Sequence, residues 1–169
     1  PLQGLKTPLY HLIYAKWSGG GTGHFTSIDI VEKSEDTLRL IDSIAGGDRC
    51  NGGLSDIEYK NGILTYKQST TPLDRYGLVL EDPDTKVNFA SCAACCMGQV
   101  LYQGSDITGF IFAQDGAEAL PIEPGVPQGC YNQIIKATLA KGKKTLSLKE
   151  LKSFVQEIKE QCVDKETSS

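Results

Sequence analysis

Six cysteines, at positions 50, 92, 95, 96, 130 and 162, constrain this 169-residue chain more than any other feature. An even set of that size in an otherwise ordinary globular composition predicts disulfides that tie distant segments together. Such bonds persist in oxidising compartments, so the same count predicts an exported protein, periplasmic or extracellular. The chain starts at Pro1, and no basic flank followed by a long apolar stretch marks a signal peptide or membrane span near it. The expectation is a processed or truncated chain.

The pairing follows in part from the helices. Tyr131, Ile134, Ile135 and Leu139 form one apolar stripe; Leu148, Leu151, Phe154, Val155 and Ile158 form another at spacings of three and four. Ser147 and Glu150 have the spacing of a capping box, which sets the start of the last helix. Cys130 begins the first helix and Cys162 ends the second, so a turn through Gly142 that folds them antiparallel brings the two cysteines together. Cys50 is then left to pair with one of Cys92, Cys95 and Cys96, the other two being bonded to each other or free. Each bridge is worth about 2–4 kcal/mol.

The region before these helices reads as strands. Phe25, Ile28 and Ile30, then Leu38 and Leu40 beyond the polar turn at Glu35-Asp36, alternate as two antiparallel strands with one buried face. Leu9 to Trp17 supplies a further strand of that sheet. Asn61-Gly62, set between Ile57, Tyr59 and Ile63, Thr65, Tyr66, marks a tight hairpin, because this dipeptide accepts the positive φ angles of such turns. Val100 to Tyr102 and Ile107 to Phe112 form another hairpin around Gly104. Thr71-Pro72-Leu73-Asp74 opens a short helix, with a capping hydroxyl, a proline whose missing donor is not needed, and an acid in the first turn. Strands followed by helices predict one α+β domain over 1–169, strand-rich over 8–114 and helical over 128–163. The architecture expected is an antiparallel meander of about six to seven strands packed against two C-terminal helices and stabilised by disulfides.

Charge and motifs exclude several functions. The net charge of −4 and pI of 5.2 offer no general attraction to nucleic acid or anionic lipid. Lys136, Lys141, Lys143 and Lys144 gather where a helix dipole favours cations, which accounts for them without a ligand. Asp82, Asp84, Glu118 and Glu123 lie in proline- and glycine-containing turns and read as solvated acids. Cys92-x-x-Cys95 has zinc-ligand spacing, with Cys50 and a histidine as remote ligands, but no second close pair accompanies it, and neither metal nor cofactor is expected. A Cys–His dyad can be drawn from Cys50 or Cys96 with His24, oriented by Asp48 or Asp29, which makes a hydrolase or thiol enzyme one alternative. Nucleophile-elbow, zinc-protease and phosphate-loop motifs are missing, and the expectation leans against catalysis.

Two glycine-rich loops stand out instead. Ser18–His24 joins the first strands, and Gly46–Gly53 the next, each richer in glycine than a simple turn requires. Local turn chemistry and an Asp48–Arg49 ion pair would explain them structurally. If both loops lie at one end of the sheet, Trp17, His24, Asp48, Arg49 and Asn51 form a recognition surface, since Trp and Arg commonly carry binding energy. The expected function is recognition of a protein partner, of inhibitor or immunity type; the alternative is glycan binding by stacking on Trp17.

Overall fold

The computed structural model describes residues 9–80, 87–113 and 127–164. Asp82, Asp84, Glu118 and Glu123 lie outside them. Strands β1 (Leu9–Trp17), β2 (Phe25–Ser34) and β3 (Thr37–Asp48) form an antiparallel sheet in chain order. Strands β4 (Leu54–Lys60), β5 (Ile63–Thr70), β6 (Gly98–Gln103), β7 (Asp106–Phe112) and β8 (Thr145–Ser147) form a second antiparallel sheet, also in chain order. Helix α1 (Pro72–Val79) interrupts the second sheet, and α2 (Pro127–Ala140) and α3 (Leu148–Ile158) follow its main strands. The fold is therefore α+β and disulfide-stabilised. Its strands divide between two sheets where the sequence suggested one continuous meander.

The division has a local cause in the chain between β3 and β4. Arg49 and Gly52 take φ angles of 48° and 90°, and Gly47 N–H donates to the Gly52 carbonyl at 2.9 Å. A side chain at Gly47 would place its Cβ 1.6 Å from the Asn51 carbonyl oxygen, so only glycine permits this closure. The loop redirects the chain before β4 can pair with β3. At the β4–β5 turn both Asn61 and Gly62 have positive φ, at 54° and 80°, as the Asn-Gly dipeptide predicts.

The main core lies between the second sheet and the helices. Val100, Phe110, Phe112 and Leu146 meet Tyr131, Ile135, Leu151, Phe154, Val155 and Ile158, all buried. Arg75 of α1 is fully buried here, its guanidinium 4.6–5.5 Å from the ring centroids of Phe110, Phe112, Tyr131 and Phe154. It donates to the Tyr131 hydroxyl, and burial holds its pKa below the usual guanidinium value. A smaller cluster joins the sheets: Ile28 packs with Leu54 and Tyr66, flanked by Leu12, Ile44 and Leu64. Tyr102 touches both clusters and stacks on Tyr66 at 4.8 Å.

Alternation alone misplaced one face. Leu38 and Leu40 are exposed because neither core cluster reaches this part of β3, where Arg39 and Ile41 on the opposite face are exposed as well. Both predicted helix starts are present as reciprocal capping boxes, Thr71 with Asp74 and Ser147 with Glu150. Lys143, from the lysine-rich helix end, donates to Glu150 Oε1 at 2.6 Å.

Glu150 is consequently held at a pKa of about 2 instead of 4.5, first by Lys143 and then by the Ser147 amide and hydroxyl. A depressed folded-state pKa gives stability that is complete above the unfolded value and lost as pH falls through the folded one. Glu150→Gln is therefore expected to lower the thermal midpoint at pH 7. The difference from wild type should shrink below pH 4.5 and vanish near pH 2, as followed by circular dichroism.

Candidate functional site

The strand ends and both glycine loops converge on one cleft of about 660 Å³. Its aromatic wall arises from register: Trp17 of β1 lies opposite Phe25 of β2, and their rings stack with centroids 5.9 Å apart. Trp17 remains 48% exposed and is the chain's single tryptophan. Tyr14 and Lys16 extend this wall, with the Lys16 ammonium 5.3 Å from the Tyr14 ring centroid. The Tyr14 hydroxyl donates to the Leu54 carbonyl at 2.9 Å, tying the first sheet to the second. Ser55, Ser69 and Gln99 supply polar groups from β4, β5 and β6.

The loops are joined by one carboxylate. Asp48 Oδ1 accepts from the His24 backbone N–H at 2.7 Å and from Arg49 Nε at 3.1 Å, while Oδ2 accepts from Arg49 Nη2 at 3.2 Å. Arg49 N–H returns a bond to the His24 carbonyl at 3.2 Å. The Asp48 pKa lies below the ordinary carboxylate value, chiefly through the His24 amide; burial opposes this and the Arg49 side chain adds to it. Asp48 thus keeps its charge and holds His24 and Arg49 at the cleft.

Disulfides fix the floor. Cys50 is bonded to Cys96, linking the second glycine loop to the segment entering β6, and Cys50 N–H donates to Ala93 O at 3.2 Å. Cys92 pairs with Cys95, and Cys130 with Cys162 as the helix geometry predicts. All six cysteines are bonded, so no thiol stands beside His24. Asp48 meets His24 through its backbone and not its ring. The Cys–His sketch therefore has neither nucleophile nor orienting contact in this oxidised state. Of the cysteines with zinc-ligand spacing, Cys92 and Cys95 are bonded to each other, and the remote Cys50 is bonded to Cys96; the described residues hold no group of three or more His, Cys, Asp or Glu fit for a metal.

Of the five residues singled out in the sequence, Trp17, His24 and Arg49 line the cleft together. Asp48 serves as the clamp between the loops. Asn51 lies elsewhere, beside Gly46, Gly52 and Gln68 in a separate cleft of about 490 Å³, its N–H bonded to the Asp48 carbonyl. Tyr14, Lys16, Ser55, Ser69 and Gln99 were not anticipated. The first two sit three residues and one residue before Trp17 on the same strand and were within reach of a strand reading; the others require knowing which strands pair.

The bridges differ in accessibility. Cys92 is exposed and its bond spans a separation of only 3 residues, whereas Cys50, Cys95 and Cys162 are buried. Loop closure predicts about 2 kcal/mol for so short a ring, against about 4 kcal/mol for the Cys50–Cys96 loop. A mild dithiol should thus free Cys92 and Cys95 first, in stepwise reduction read by alkylation and peptide mapping. Earlier release of either long-range bridge would reverse this order.

No helix among the described residues is long and apolar enough to cross a membrane. No family model, curated protein or solved structure matches the chain.

Proposed function

We propose that this is an exported, non-catalytic binding protein that recognises a protein partner through the cleft between its glycine loops. The observation carrying this reading is the convergence of Trp17, His24 and Arg49 from separate segments on one concave site. The cleft is of the size that takes a few side chains, and its aromatic wall supplies contact area at small entropic cost. Lys16 and Arg49 favour an acidic group beside an apolar or aromatic one in the bound segment. Three disulfides accord with an oxidising compartment. A concave site receives a segment more readily than it enters another protein's active site. Inhibition of an enzyme would then come from capturing one of its surface segments. The exposed Trp17 ring also suits a sugar face, and a glycan array read in parallel separates that second reading.

The test uses a displayed peptide library selected on the native protein. Asp48→Ala together with Arg49→Ala should reduce capture of the selected peptides by at least about 100-fold, as loss of a central anchor and its clamp implies. Circular dichroism should remain that of wild type. Undiminished capture by the double variant would remove the loops from the binding site.

A further inference from the structure

We infer that the outer edge of β1 is a self-association site, at which two copies of this chain pair antiparallel about Ile13 and join their three-stranded sheets. The inference does not rest on the proposed binding function, although Tyr14 and Lys16 of this strand also line the cleft; it rests on how the sheet edges are protected. Unpaired strand edges invite further strands, and proteins blunt them with bulges, charges or brevity.

Three of the four edges among the described residues carry such devices. β3 has a register shift at its centre and the charged residues Arg39 and Asp42 on either side of it. β4 has an irregularity between Ser55 and Glu58, with Asp56 at a φ of 48°. β8 is only 3 residues long. β1 has none of these: its 9 residues pair with β2 in unbroken register, without proline or bulge, and Lys16 is its one fixed charge. Tyr10, Ile13 and Tyr14 on this strand are 57%, 40% and 40% exposed.

The sequence of β1 selects a second copy as the occupant. A twofold axis through Ile13 places Ile13 against Ile13, Leu12 against Tyr14, and His11 against Ala15, so apolar groups meet on both faces. The same axis sets each Lys16 opposite Tyr10 of the other copy, where the ammonium finds a ring as it already does at Tyr14. No like charges face each other in this register. Every contact except the Ile13–Ile13 pair on the axis occurs twice, and the edge N–H and C=O groups of both strands are paired.

Sedimentation velocity over a concentration series tests this on the whole chain. Wild type should pass from monomer to dimer below about 1 mM, the weakest association that such an edge would be expected to support. Ile13→Lys and Ile13→Asp should each be monomeric throughout, because like charges meet at the axis, and an equimolar mixture of the two should recover the dimer. Tyr10→Glu checks the register with the opposite sign: it faces Lys16 twice and should tighten the dimer several-fold, whereas Tyr10→Lys should weaken it. A wild type that stays monomeric to 1 mM overturns the proposal, even if it binds a foreign strand. So do Ile13 variants that fold and dimerise like wild type, or Tyr10 variants that both leave a wild-type dimer unchanged.

Discussion

Replacing Cys50 and Cys96 together by alanine is expected to lower the free energy of unfolding by about 4 kcal/mol, the loop-closure value for a bridge across 46 residues. The bridge across 32 residues, Cys130–Cys162, should be worth slightly less, and Cys92–Cys95, across 3, about half as much. Urea unfolding of the three double-alanine variants gives this order directly. The Cys50–Cys96 pair carries a second consequence, because it anchors the loop that presents Arg49 and because Cys96 lines the cleft. Binding should therefore fall with stability in that variant, even at temperatures where it is fully folded. In the Cys130–Cys162 variant, whose bridge lies among the helices, binding by the folded fraction should persist. Equal losses of stability across all three pairs would contradict the loop-length account.

Phe154→Ala is expected to cost about 3–5 kcal/mol, the range for removing a buried phenylalanine. Phe154 is buried on α3, meets Phe112 edge-on at 5.4 Å, and forms one of the four rings around the Arg75 guanidinium. Truncation leaves a cavity beside a desolvated cation and removes one of the surfaces that partly offset its burial. Phe154→Leu keeps most of the volume and should cost markedly less. Thermal and urea unfolding of the pair separate packing from ring contact. A loss below 1 kcal/mol for the alanine variant would show that the side chain is not central to the core.

Much of this arrangement was legible in the chain because its signals are local. Thr71-Pro72 and Ser147 with Glu150 announce helix starts through hydroxyl and carboxylate groups three residues apart, and Asn61-Gly62 announces a hairpin through backbone freedom. The Cys130–Cys162 bridge followed from helix lengths and one turn. What could not be read depends on long-range packing. Alternation at Leu38 and Leu40 suggested a buried face, but whether a face is covered is decided by distant segments. The split into two sheets has a local cause, the closure of Gly47 on a carbonyl four residues on, but the glycine content of a loop does not by itself show in which direction it sends the chain. The cleft was half visible: His24 and Arg49 belong to loops whose glycine content was conspicuous, and Trp17 ends the strand that leads into the first of them. Gln99 and Ser69 enter only through strand pairing, and Asn51 is carried away by the fold of its own loop.

The most direct test of cleft recognition is the emission of Trp17 during titration with a peptide selected on the native protein. As the single tryptophan, half-exposed at the cleft, it reports occupancy of that site without a label when the peptide itself lacks tryptophan. A saturable blue shift with the same midpoint as calorimetric binding is the predicted result. Calorimetric binding with unchanged Trp17 emission would place recognition elsewhere on the molecule and contradict the account.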